Sequence, residues 1–348
     1  MIVCNVDRFL AESIESILGQ TFRDFEFIIV DFGSTDKSLS IILSYAVKDS
    51  RIRLHQIPHC SLPEARNAGC FLAQGRYIAI ADADDVSLPD RLHVQVEFME
   101  EHPGVGVVGG AVEFTDATGR PLFTHRHPLG DPEIREALMT HSVLWQPTAF
   151  IRRDAFGFVG GYRALFIQTE DYDLWLRISE HFQIVNLEEV VVKYRFHPHQ
   201  VSMRKRTQQS LCILAAQLGA AARRNGVPDP LNSVHEITSE SLAVLGVTKA
   251  EQQRQLASDR KDWIRHMCMA GEYPAALKTA QEALKFDLEY LEPWEIANLH
   301  LTVARLNWSQ SRPLASALSV ARAVLAHPVM VGRPLKPLLR RLSLVGPD

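Results

Sequence analysis

No Cys-x-x-Cys pair occurs among the five cysteines, which are scattered at 4, 60, 70, 212 and 268. That spacing argues against a thiolate zinc site and a disulfide framework, and leaves reduced thiols as the default. No apolar run approaches the ~18 residues that a membrane-spanning helix needs. The nearest, Leu211 to Ala221, is short and broken by Gln217. Asp7 and Arg8 interrupt the first residues too early for the apolar core of a secretion signal. A basic excess is also missing: 37 Lys and Arg face 41 Asp and Glu, a formal net charge of −4. No nucleic-acid partner is therefore expected. Nor does a Gly-rich phosphate loop precede the first helical pattern. The chain is read as cytoplasmic, with attachment at the inner face of the membrane left open.

What is present is ordinary globular composition, 46% hydrophobic and 22% charged over 348 residues, long enough for two domains. The first two hundred residues alternate helical and strand patterns. Phe9, Leu10, Ile14, Ile17 and Leu18 recur at helical spacing. FEFIIVD (25–31) is rich in β-branched and aromatic residues and reads as a strand. GSTD follows, with Ser34 or Thr35 as the expected N-cap of a helix marked by Leu39, Ile42, Leu43 and Ala46. RIRLHQI (51–57) is a strand. Ser61 caps the next helix, with Pro63 in its first turn and Gly75 just past its end. Tyr77 to Ala81 is a strand, and Leu92, Val96 and Met99 mark a helix. This alternation predicts an α/β domain with an open, largely parallel sheet and helices on both faces.

Strand patterns end near residue 203, and Ala, Leu, Arg and Gln dominate from there. The expected division is therefore 1–203 and an all-α region 204–348. MAGEYPAALKTAQEALKFD (269–287) resembles one tetratricopeptide-like unit. No clear second copy is visible, so a plain helical bundle is the alternative.

YIAIADADD (77–85) runs a strand straight into three aspartates. In parallel sheets ligands bind outside the carboxyl ends of strands, where both this cluster and Asp31 fall. Crowded carboxylates repel, and a hard divalent cation such as Mg²⁺ or Mn²⁺ relieves the repulsion. Helix capping accounts for one or two of the aspartates but poorly for three. TEDYDLWLR (169–177) sets Glu170 and Asp171 at the start of an amphipathic helix, where acids commonly serve only as dipole complements. In YRFHPHQVS (194–202), His197 follows the strand EEVVVKYRF. A histidine there is usually structural, yet imidazole is also a common metal ligand.

Together NVDRFLAESIESILGQTFRDFEFIIVD, GSTD, ARNAG, YIAIADADD, LPDRL, QPTAFIRRDAF, VGGY, TEDYDLWLR and YRFH resemble a family 2 glycosyltransferase of the GT-A fold, from residue 1 to about 203. The resemblance implies an inverting, metal-dependent transfer of a sugar from a nucleotide diphosphate to an acceptor hydroxyl. Polysaccharide or glycoconjugate synthesis is the expected setting, with a saccharide or glycolipid acceptor. By position, Asp84 matches the metal-binding aspartate of the family's DXD motif, and Asp82 its first carboxylate, near ribose or metal. Asp171 matches the general base, with Glu170 as its motif neighbour. His197 matches a position that in some relatives approaches the metal or diphosphate. Asn5, Asp31 and Arg66 match donor-binding positions. The cofactor implied is Mg²⁺ or Mn²⁺.

The departures gather at one end. Relatives open with a buried strand ending in a Pro-x-Tyr-Asn-like segment, whereas this chain opens MIVCN, so nearly all of that strand is expected to be absent. Cys4 stands where relatives often carry an aromatic that packs on the base. Phe32 replaces the second Asp of VDDGS, which helps read the base; Phe can stack but cannot accept a hydrogen bond. The QxxRW signature of processive relatives is not evident, so one sugar per encounter is expected. The alternative from another class is a catalytically silent scaffold whose C-terminal helices recruit a protein partner. A nucleotidyltransferase is weaker still.

Overall fold

The computed structural model describes residues 1–196, 206–286 and 288–328. Contacts divide the chain into two compact units, Met1–Leu245 and Gly246–Asp348.

The first unit opens with β1 (Ile2–Val3), α1 (Asp7–Leu18), β2 (Phe27–Asp31), α2 (Ser38–Ala46) and β3 (Ile52–Gln56). The strands form a parallel three-stranded sheet in the order β1-β2-β3. Leu10, Ile14 and Ile17 of α1 share one helix face and are buried in a core with Phe27, Ile29 and Ile42. Short as β1 is, it pairs: Val30 donates to the Met1 carbonyl at 3.0 Å, and Phe32 donates to the Val3 carbonyl at 3.1 Å. Neither Ser34 nor Thr35 caps α2, which begins at Ser38. The N-cap position is Lys37, and Asp36 before it accepts from the Ser38 amide at 2.9 Å, while Thr35 is held by Asn5. Ser61 does precede α3 (Leu62–Leu72), in a capping box with Glu64.

Next come β4 (Tyr77–Ala79), β5 (Val86–Ser87), α4 (Arg91–Glu101), β6 (Val105–Thr115), β7 (Pro121–His125), α5 (Asp131–Ala137), β8 (Phe150–Arg152), α6 (Arg153–Phe158), α7 (Glu170–Ser179) and β9 (Gln183–Arg195). These strands form a mixed sheet ordered β4-β8-β6-β9-β5, with β7 on β6. Only β6 and β9 run parallel here; the other pairs are antiparallel. The parallel expectation thus holds for the first three strands and gives way from β4 on. One isolated parallel bridge, Ile2 to Asp82, joins the two sheets.

The division after Leu245 lies beyond the compositional change at 203 because α8 (Arg206–Arg224) is bound into the first unit. Its Arg223 pairs with Glu180 at 2.8 Å, and its Gln217 donates to the Thr140 carbonyl at 2.9 Å. Composition changes where strands stop, whereas a unit ends where contacts stop. The short α9 (Ser239–Val244) closes this unit.

The second unit is helical: α10 (Lys249–Met269), α11 (Tyr273–Phe286), α12 (Pro293–Ser309) and α13 (Pro313–Ala326). These helices form two hairpins with the same turn. The Glu272 amide donates to the Met267 carbonyl in one, and the Arg312 amide to the Asn307 carbonyl in the other, each at 2.9 Å. The left-handed residue is Gly271 in the first turn and Ser311 in the second, at φ 79° and 59°. The second copy is illegible in the sequence because serine stands in the place that glycine marks.

Candidate active site

The acidic loop 82–85 is fixed from two sides. Arg91, at the start of α4, is buried beneath it. Its guanidinium donates to the Ile80 carbonyl at 2.7 Å and to the Ser87 hydroxyl at 3.0 Å, which fixes the chain on either side of the aspartates. Arg195, at the end of β9, braces the far side. Its amide donates to an Asp85 oxygen at 2.8 Å, its Nε to the Asp84 carbonyl at 2.9 Å, and its Nη2 to Glu12 at 2.5 Å.

The three aspartates divide by environment. Asp85 is buried, its second oxygen has no hydrogen-bond partner, and its carboxyl is pushed well up by burial, then by Asp84 and Asp82. Asp82 and Asp84 are only half-buried. Asp85 is therefore the structural member, and the other two can meet a ligand. The loop fits a divalent cation held by one or two carboxylates with phosphate oxygens completing its shell. It does not fit an all-protein cage: among the described residues, no three His, Cys, Asp or Glu side chains gather around one point. His197 lies outside the described residues.

Arg66 is the junction of the site. It sits on α3 and is buried, with Nε donating to Glu170 at 3.0 Å and Nη2 to Asp82 at 3.2 Å. Three segments far apart in sequence thus meet on one guanidinium. Burial opposes its charge, but Asp82 and then Glu170 more than offset this and hold it firmly protonated. Glu170 is pushed up by burial despite Arg66, and its second oxygen is buried without a partner. Asp171, next along α7, is half-buried and accepts from the Tyr172 amide at 2.8 Å. Burial first, and the neighbouring Glu170 second, push its carboxyl up to about 7. A carboxylate poised there accepts a proton far more readily than one at its ordinary value.

Asn5 and Asp31 act locally. The exposed Asn5, at φ 56°, accepts with its side-chain oxygen from the amides of Thr35 (2.8 Å) and Asp36 (3.2 Å). The buried Asp31 accepts from the Ser34 amide at 3.1 Å. Together they shape the loop beyond β2. Cys4, Phe32 and His59 follow the carboxyl ends of β1, β2 and β3. The Phe32 and His59 rings stack, centroids 5.9 Å apart and 13° from parallel, and the His59 Nδ1 lies 3.3 Å from the Phe32 carbonyl. Beside these rings Gly33 has φ 98°, and a Cβ there would meet His59 Cβ at 3.3 Å.

Sequence reasoning missed several supports. Asn67 clamps the VGGY turn, donating to the Tyr162 carbonyl at 2.7 Å and accepting from its amide at 2.9 Å. Gln146 donates to the Tyr162 hydroxyl at 2.7 Å. Trp145 beside it packs with His127 at 5.4 Å and Tyr194 at 5.6 Å, and its indole N–H is buried without a hydrogen-bond partner. Asn67, Gln146 and Tyr162 lie inside the quoted motifs, but no spacing rule announces partners so far apart along the chain.

Residues 1–160 match the family model of glycosyl transferase family 2. An uncharacterized glycosyltransferase of Methanocaldococcus jannaschii is 33% identical over 54% of this chain and 66% of its own length. The O-antigen biosynthesis glycosyltransferase WbnJ of Escherichia coli is 31% identical over 57% of this chain and 78% of its own. Among solved structures, the mannosyltransferase PcManGT of Pyrobaculum calidifontis, in complex with GDP-Man and Mn²⁺, superposes with a TM-score of 0.50 at 18% identity. That match covers 92% of this chain and 85% of the other, and shows a shared fold.

Proposed function

The chain belongs to glycosyl transferase family 2, and from that premise we propose that it transfers a sugar, with inversion, from a nucleotide diphosphate donor to a saccharide or glycolipid hydroxyl. One observation carries the reading: Arg66 ties Glu170 and Asp82 together beside Asp171, a carboxyl held near 7. A scaffold with no chemistry has no use for three acids gathered around one buried cation, since such an arrangement often costs stability relative to apolar packing.

In the proposed step the acceptor oxygen bonds to the anomeric carbon as that carbon's bond to the diphosphate oxygen breaks. Asp171 takes the acceptor proton, and the nucleoside diphosphate leaves with the electron pair. Arg66 contributes fixed positive charge beside the acidic loop. Asp84, with Asp82, would hold Mg²⁺ or Mn²⁺, which supplies charge neutralisation for the departing diphosphate. The Mn²⁺ bound with GDP-Man in the Pyrobaculum structure supports that cofactor class. O-antigen biosynthesis in a relative supports a cell-surface polysaccharide or glycoconjugate product.

A screen of nucleotide sugars by release of nucleoside diphosphate tests the reading. Release is expected for at least one donor, abolished by EDTA and restored by Mn²⁺ or Mg²⁺. Metal-independent release would remove the role given to Asp84. Failure to bind any donor would favour the scaffold.

The nucleobase is assigned to the shelf formed by Phe32 and His59. Stacking on an aromatic is worth about 1–3 kcal/mol per base, so Phe32→Ala should raise the donor KM roughly five- to 150-fold. The kcat should change little, because the ring touches no reacting atom. An unchanged donor KM would place the base elsewhere.

A further inference from the structure

The two hairpins of the second unit provide an internal control. Aligned on their shared turn, Pro274, Lys278, Gln281 and Lys285 of α11 match Leu314, Leu318, Ala321 and Leu325 of α13. All eight positions are exposed. Three buried positions match as well, Ala276, Thr279 and Ala283 with Ser316, Ser319 and Ala323, whereas the buried Leu277 and Ala280 match the exposed Ala317 and the half-buried Val320. The same solvent face thus carries two lysines, a glutamine and a proline on α11 but three leucines and an alanine on α13, where Leu314 is 81% exposed, Leu318 61% and Leu325 81%. Packing among the described residues explains none of these leucines, and a surface of this kind marks an interaction site.

Charge identifies the partner. From Ile296 to Pro347 the sequence contains no Asp or Glu, yet it contains seven basic residues: Arg305, Arg312, Arg322, Arg333, Lys336, Arg340 and Arg341. The whole chain is net −4, so positive charge is segregated to this end. Arg305, Arg312 and Arg322 are exposed. A leucine face with arginines and no acids suits a surface that is anionic and apolar beneath, which is an anionic lipid bilayer. Nucleic acid would use the charge and leave the leucines without a role. A second copy would bring equal positive charge against itself.

We propose that the α13 face docks on an anionic membrane surface, with Leu314, Leu318 and Leu325 entering the headgroup boundary and Arg312 and Arg322 pairing with lipid phosphates. Among the described residues no helix is long and apolar enough to cross a membrane. The contact is therefore of the kind that lies on the surface. Docking needs no donor and is independent of the transferase reading.

The test is co-sedimentation of the full chain with vesicles of equimolar phosphatidylcholine and phosphatidylglycerol, against phosphatidylcholine alone. Partition is expected only into the anionic vesicles and should weaken with added salt. Each arginine at such a surface is worth about fivefold in partition, so Arg312→Gln with Arg322→Gln should cost roughly thirtyfold. Leu314→Gln with Leu318→Gln should cost at least about tenfold. These positions are exposed, so the thermal midpoint should stay unchanged, which separates lost docking from lost fold. Absence of partition, equal partition into neutral vesicles, or indifference to the leucine changes would overturn the proposal. So would a dimer that Leu318→Glu dissociates, which would assign the face to a second copy.

Discussion

Asp171→Asn should lower kcat by about 10²–10⁴-fold and leave donor affinity unchanged, in line with the loss of a general base. Single-turnover kinetics and donor calorimetry separate the two quantities; full turnover by the variant would remove Asp171 from the chemistry. The parent should show a rising acidic limb in kcat near pH 7, where the Asp171 carboxyl ionises. Glu170→Gln should move that limb to lower pH, because it removes the like charge that helps to hold the proton. The same shift has a stability sign. The folded carboxyl binds its proton more tightly than the unfolded one, whose ordinary value is 3.8. Stability from this group is therefore complete below 3.8 and is lost as pH rises to about 7. Asp171→Asn should melt higher than the parent above pH 7 and nearly level with it under acid conditions.

Arg66→Met should be the most damaging single change to the fold around the site. It leaves Glu170 buried with no counter-charge and Asp82 without its partner. Removing one member of a buried ion pair typically costs about 3–5 kcal/mol. At about 2–4 °C per kcal/mol for a unit of this size, the midpoint should fall by roughly 6–20 °C. Arg66→Lys should not restore it fully, since a single ammonium cannot reproduce the guanidinium's planar fork toward two carboxylates. Arg66→Met with Glu170→Gln should recover part of the loss, because the two residues share one interaction. A cost below about 1 kcal/mol would mean that the pair behaves as a solvated surface bridge.

Much of this was legible in the sequence, for identifiable reasons. The strands β2 and β3 announce themselves because β-branched and apolar residues run between clear helical patterns. ADADD stands out in the sequence because like charge is crowded at a strand end. The organisation after β4 was harder, since antiparallel pairing of β4, β6 and β8 joins segments whose order along the chain says nothing about adjacency. The division between half-buried Asp84 and buried Asp85 was hidden for a similar reason: it depends on Arg195, which no local pattern links to the cluster. The expectation that GSTD caps α2 failed because Asn5, across the sheet, claims Thr35 first. The kinship of α13 with α11 was hidden by a turn that carries Ser311 in place of a glycine.

Among the described residues, the bridge from Ile2 to Asp82 is the single stitch of backbone that joins the two sheets. On the proposed donor site, a nucleotide sugar reaching from the Phe32 ring to Asp84 would lie across that stitch and act as a clasp. Its arrival should tighten the join, slowing amide exchange at Ile2 and Asp82 before any bond is made or broken.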